Sequence, residues 1–64
     1  MTNEEAKEAF FSGVAVKSQG IRYKCISAII YRKDKDGKLI VSAEMLDNSG
    51  NSRTVARTQD IEVI

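Results

Sequence analysis

The spacing of apolar and polar positions changes once along the chain, near residue 13, and divides it into a helix and a set of strands. Ala6, Ala9, Phe10 and Gly13 recur at three- and four-residue intervals, with Glu4, Lys7 and Glu8 on the wet side. That is the spacing of one helix face. Thr2 and Glu5 stand at capping-box distance. The early glutamates suit the positive end of the helix dipole, and Gly13 is placed for a left-handed cap. The pattern predicts a helix over residues 3–12 with Phe10 as its main anchor.

After residue 13 the period shortens to two. The alternation predicts strands at about 14–18, 21–33, 38–46, 52–57 and 61–64. Ile21, Tyr23, Cys25, Ser27, Ile29 and Tyr31 share one parity in the longest of them. Gln19-Gly20 is a tight-turn signal. Asp34-Lys35-Asp36-Gly37 and Asp47-Asn48-Ser49-Gly50-Asn51 are turns with glycine free to take positive φ, and Thr58-Gln59-Asp60 reads as a short helical turn. The predicted fold class is α+β, mainly β: a single domain over 1–64, with an N-terminal helix followed by a five-stranded, strongly bent antiparallel sheet. Taking both glycine turns as three-residue bulged loops sets Tyr31 opposite Val41, Ile29 opposite Ala43, and Ala43 opposite Val55. A slip of one residue would exchange the faces.

The opposite face of the central hairpin is apolar as well, with Ile26, Ala28, Ile30, Ile40 and Leu46. A small sheet needs only one covered face. The second must meet the helix, the sheet itself after barrel closure, or a partner subunit. The candidate interface residues are Phe10, Ile26, Ile30, Ile40 and Leu46. A chain of 64 residues is near the lower limit for standing alone, so a homo-oligomer is a natural expectation.

Composition narrows the chemistry. Hydrophobic residues at 42% and charged residues at 30% describe a globular chain and not a disordered one. The sequence has no His, no Trp, no Pro and one Cys. The first excludes a histidine base or triad, and the last an intramolecular disulfide or cysteine-rich zinc site. An unpaired Cys fits a reducing, cytoplasmic compartment. The acidic N-terminal segment lacks the apolar run of a signal peptide, and Ala28 to Tyr31, the longest apolar run, is too short to span a bilayer.

Net charge is +1 but unevenly spread. Residues 14–38 hold Lys17, Arg22, Lys24, Arg32, Lys33, Lys35 and Lys38 against Asp34 and Asp36, whereas both flanking segments are net acidic. Such runs ordinarily face water, and lysines on strand edges discourage edge pairing. With a total this small, general adhesion to nucleic acid is not expected.

Cys25 is mid-strand with no histidine to activate it, so it reads as a small core residue. Asp34-Lys35-Asp36-Gly37 is a fragment of a calcium loop without the downstream ligands, and turn formation explains it better. No carboxylate pair is placed for acid–base work, and the glycines are spaced as turn and cap residues. The expectation is no enzyme, no metal and no cofactor. What remains is anion recognition. Arg22, Lys24 and Arg32 lie along the long strand, and Arg53, Thr54 and Arg57 around the fourth. Guanidinium forks suit phosphate and carboxylate, and Tyr23 and Tyr31 could stack on a base.

The order of short strand, long bent strand, Asp/Gly turn, strand, Asn/Gly turn, strand, helical turn and final strand resembles an SH3-like small barrel over residues 14–64, as in Tudor-type and KOW-type modules. No Tudor aromatic cage is evident. The segments Glu4 to Phe10, Gly20 to Ser27 and Asp36-Gly37-Lys38 make the chain similar to short proteins of phages and mobile elements in Gram-positive bacteria. The helix ending in Gly-Val-Ala-Val and followed by strands is loosely similar to phage sponge proteins that sequester nucleotide immune signals. That resemblance implies an oligomeric, non-catalytic anti-defence protein holding a phosphorylated nucleotide between subunits. The other reading is an SH3-like adaptor or inhibitor that grips a host protein or nucleic acid with its apolar outer face.

Overall fold

The computed structural model describes residues 1–64 and has one helix and six strands. Helix α1 spans Asn3–Ser12. The strands are β1 Val16–Ser18, β2 Ile21–Tyr23, β3 Cys25–Lys33, β4 Leu39–Leu46, β5 Arg53–Arg57 and β6 Ile61–Val63, with a 3-10 turn at Thr58–Asp60 before β6. The fold is α+β and mainly β. The strands form two three-stranded antiparallel sheets, ordered β2-β1-β6 and β3-β4-β5.

This corrects the expectation of one five-stranded sheet closing as a barrel. The predicted strand at 21–33 is interrupted at Lys24, where the backbone bends and the Lys24 amide donates to the Leu46 carbonyl at 2.8 Å. Its two halves then serve different sheets, and the sheets are not closed into a barrel.

Local chemistry explains the elements. Thr2 Oγ1 accepts from the Glu5 amide at 3.1 Å, and the Glu5 carboxylate accepts from the Thr2 amide at 2.8 Å. This reciprocal pair satisfies two of the orphan donors at the start of α1. At its other end Gly13 sits at φ 73° and donates to the Ala9 carbonyl. Gln19 and Gly20 both take positive φ, 51° and 79°. Two such residues in succession match the twist of a two-residue hairpin between β1 and β2.

The core lies between the inner faces of the two sheets and α1. Val16 and Ile61 from the first sheet meet Ala43 and Met45 from the second, with Tyr23, Ile26 and Ala9 completing the cluster. The helix contributes through Ala6 and Ala9, which are buried. Phe10, expected as the anchor, is half-buried at the rim. Small side chains let the helix backbone approach β3 closely. Only Met45, Ile61 and Val16 are larger side chains with almost no exposure, each contributing about 1.5–3 kcal/mol by burial. With so few of them, the fold is stabilised by a thin apolar layer.

Candidate functional site

Strand pairing decides which residues share a face. In β4, Val41, Ala43 and Met45 point inward and are buried, so Ile40, Ser42, Glu44 and Leu46 face outward. Opposite Ser42 stand Ile30 on one side and Arg57 on the other; opposite Glu44 stand Ala28 and Val55; opposite Leu46 stand Cys25 and Arg53; and Arg32 pairs with Ile40. The outer face of the second sheet thus joins Ala28, Ile30, Ile40, Leu46 and Val55 into an apolar strip bordered by Arg32, Arg53 and Arg57. None of these apolar residues is in the core cluster, and Val55 is 55% exposed.

Two irregularities assemble this face. A bulge at Ser27 shifts the β3–β4 register between Ile26 and Ala28. It turns Ile26 inward, where it is 3% exposed and part of the core. The candidate outward contact of Ile26 is therefore replaced by packing against the first sheet. The pairings Tyr31 with Val41 and Ile29 with Ala43 are present, but Ala43 faces Ala56, one residue from the expected Val55. The loop between β4 and β5 is longer than three residues, because Leu46 pairs with Arg53. The one-residue slip sends Val55 outward and brings Arg53 and Arg57 with it.

The charges on this face are unequal. Arg53 Nε lies 3.0 Å from Glu44 Oε1, and the Ser27 hydroxyl donates to that same carboxylate at 2.9 Å. One end of the strip is therefore neutralised within the chain. At the other end Arg32 and Arg57 have no ion-pair partner, and the Ser42 hydroxyl between their strands makes no hydrogen bond within the chain. That end of the face therefore carries two arginines free of counter-charge and a free hydroxyl, on three neighbouring strands.

The remaining candidates lie apart from this group. Arg22 is on the outer face of the first sheet, opposite Lys17, whose ammonium lies 3.6 Å from the Glu62 carboxylate. Lys24 is at the bend between the sheets. Tyr23 is 7% exposed, in the core, which removes it from base stacking. Tyr31 is on the inner side of β3, beside Lys7 of the helix; Glu4 and then Tyr31 hold that ammonium above its ordinary value. Thr54 points to the inner side of β5, opposite Met45, and is exposed. The site thus brings together Arg32, Arg53 and Arg57 with Ile30, Ile40 and Leu46, and leaves out Arg22, Tyr23, Lys24, Tyr31, Thr54, Phe10 and Ile26.

Val55 and Glu44 are members that sequence reasoning did not assign to the site, whereas the Ser42 hydroxyl is one of the donors it offers. The signal was the odd parity shared by Arg53, Val55 and Arg57.

Both acidic turns are structural. Asp34 Oδ1 accepts from the amides of Asp36 and Lys38, each at 2.9 Å. Asp47 accepts from the Ser49 hydroxyl at 2.8 Å and from the Asn51 amide at 3.1 Å. The Ser49 hydroxyl first, and then backbone amides of its turn, hold the Asp47 carboxyl below the usual range. No group of three or more His, Cys, Asp or Glu side chains converges to hold a metal ion, and the single chain has no pocket. No helix is long and apolar enough to cross a membrane. Comparison of the chain with protein-family models, with curated proteins and with solved structures finds no match.

Proposed function

We propose that this protein is a non-catalytic binding module whose outer β3-β4-β5 face holds an acidic partner protein. The observation that carries the reading is the outward apolar strip of half-buried Ile30 and Ile40 and exposed Val55, lined at one end by Arg32 and Arg57 without counter-charges. Apolar area gives such a contact its energy, and unpaired guanidinium groups select the sign of the partner. The strand order, with a 3-10 turn before the last strand, supports an SH3-like layout for the module.

The test is capture with the full chain as bait, in parallel with two charge-reversed variants. An acidic partner kept by wild type and by Lys17→Glu/Arg22→Glu, but lost by Arg32→Glu/Arg57→Glu, supports the proposal. A partner held equally by both variants overturns it.

A second reading is favoured by the Arg32, Ser42 and Arg57 constellation: capture of a phosphorylated nucleotide, in the manner of an anti-defence sponge. Since one chain offers no pocket, walls from a second copy are needed, so this reading requires a homo-oligomer. Calorimetric titration with cyclic nucleotides and ADP-ribose derivatives, alongside light scattering, separates the two. Binding heat together with a mass above that of one chain favours the nucleotide; a monomer with no heat favours the protein partner.

A further inference from the structure

We infer that the partner of the second sheet docks by adding an acidic extended strand to the free edge of β5. The inference rests on the reading that this sheet is the binding surface, and it specifies how the backbone takes part. The Asp47 amide donates to the Ser52 carbonyl at 3.0 Å, and the register runs on from there through Leu46–Arg53, Glu44–Val55 and Ser42–Arg57. In an antiparallel ladder, hydrogen-bonded and non-bonded pairs alternate. Arg53, Val55 and Arg57 therefore fall in the non-bonded positions toward β4. The N–H and C=O of Arg53 and Val55, and the N–H of Arg57, point away from the sheet, and no strand lies along that side.

The other edges of the fold are less suited to this use. Those of β2 and β6 are three residues long, and β3 carries α1 packed against it. Edge strands are ordinarily blunted by lysine, proline, a bulge or a covering element. β5 has no lysine, proline, bulge or cover, and its only charges are Arg53 and Arg57 at its two ends: its sequence is Arg-Thr-Val-Ala-Arg, its register with β4 is unbroken, and its central Val55 is open to solvent.

Charge chooses the occupant. Antiparallel pairing of β5 with a second copy, centred on Val55, would set each Arg53 against an Arg57 of the other copy, and directly opposed like charges destabilise a sheet. A partner strand with an acidic residue opposite Arg57, an apolar one opposite Val55 and a polar or acidic one opposite Arg53 meets complementary groups at every position. Those partner residues are spaced two apart, on the face that continues the Ile30, Ile40 and Val55 strip. The backbone supplies affinity and the alternate side chains supply specificity, as in other strand-addition complexes.

The probe is a synthetic nine-residue peptide with acidic residues four positions apart, valine midway and threonine elsewhere, titrated into the intact protein and followed by amide NMR shifts and hydrogen exchange. The expected result is protection of the Arg53, Val55 and Arg57 amides, with no change at Thr54 or Ala56. N-methylating the peptide at the acidic and valine positions removes the donors facing β5 and should abolish binding; N-methylating the intervening threonines should not. Arg57→Glu should weaken the acidic peptide about five- to tenfold and favour one with lysine in place of the acidic residues. Equal binding by both methylated peptides, with shifts on the outer face, overturns strand addition while keeping the sheet as the binding surface. No shift anywhere at millimolar peptide also overturns it, and leaves the capture test above to decide the surface by itself.

Discussion

The two sheets have three strands each, yet their outer faces differ in kind. The first shows water Arg22, Lys17 and Glu62 in one row, with Lys17 and Glu62 paired across the strands. It is polar and largely self-compensated. The second presents Ala28, Ile30, Ile40 and Leu46, each half-buried, beside exposed Val55, with compensation only at the Arg53–Glu44 end. Both faces lie on the same thin core, so stability does not require the difference. A face that is apolar and partly uncompensated is what a partner surface looks like before the partner arrives.

The largest expected effect separates the side of the second sheet that holds the fold from the side that does not. Met45 and Ile30 lie on opposite faces of this sheet. Met45→Ala opens a cavity at a fully buried position and should cost about 2–5 kcal/mol, a large part of the stability of so small a domain. Urea unfolding would show a collapsed midpoint or no transition at all. Ile30→Ser removes area that is covered in part and should cost about 1–2 kcal/mol, less than the Met45 cavity, while weakening partner capture. A loss at Ile30 as large as that at Met45 would show that the outer strip is held by this chain and not by a partner.

A smaller effect is expected at the helix that covers the inner side. Thr2→Ala removes the acceptor for the Glu5 amide and should cost about 1 kcal/mol. Thermal unfolding reads it as a lower Tm. Partner capture should be unchanged, since α1 lies across the sheet from the strip.

Smaller still is the effect of sharpening the charge contrast. Glu44→Gln removes the carboxylate that neutralises Arg53, and a half-exposed ion pair of this type is worth at most about 1 kcal/mol. Freed of its partner, Arg53 joins Arg32 and Arg57 as an available cation. Stability should fall slightly while association with an acidic partner becomes faster and more salt-sensitive. Stopped-flow association rates at two ionic strengths would show it. An unchanged rate would mean that Arg53 stays outside the contact.

What could be read before the structure divides along the same lines. The helix is specified within twelve residues, by Thr2, Glu5 and Gly13, so its start and its end are both legible locally. The first turn of the long hairpin is likewise local, and Tyr31 against Val41 follows from it. The outer face of the second sheet was only partly legible, because parity is carried along a strand only while the strand is unbroken. The bend at Lys24 and the bulge at Ser27 each reset it, and neither position holds a glycine or proline to announce the break. The loop before β5 added the last slip, a single residue that exchanged Val55 for Ala56 on the inner side. Arg32, Arg53 and Arg57 were identified as cations with the right chemistry; that Arg53 and Arg57 share a face with Arg32 depends on that slip, which only long-range pairing fixes.

The smallest effect concerns acid. Glu5 at the start of α1 and Asp47 in the β4–β5 turn are both held below the usual carboxylate range, Glu5 by the Thr2 amide and then the Thr2 hydroxyl, Asp47 by the Ser49 hydroxyl and then backbone amides. A carboxyl whose folded pKa is depressed binds protons more readily in the unfolded chain. Its stabilisation is complete above the unfolded value and disappears as pH falls through the lower folded one. Unfolding midpoints measured from neutral pH downward should therefore stay level and then decline below about pH 4. Glu5→Gln flattens part of that decline by acting on the helix, and Asp47→Asn flattens a further part by acting on the turn that sets β5 in register. Both groups are solvent-exposed, so each contribution is small. Because the turn positions Arg53, Val55 and Arg57, acid should weaken partner capture less in Asp47→Asn than in wild type, protonation of the partner's own carboxylates being common to both. Capture that falls only together with global unfolding, equally in both proteins, would uncouple this turn from the binding face.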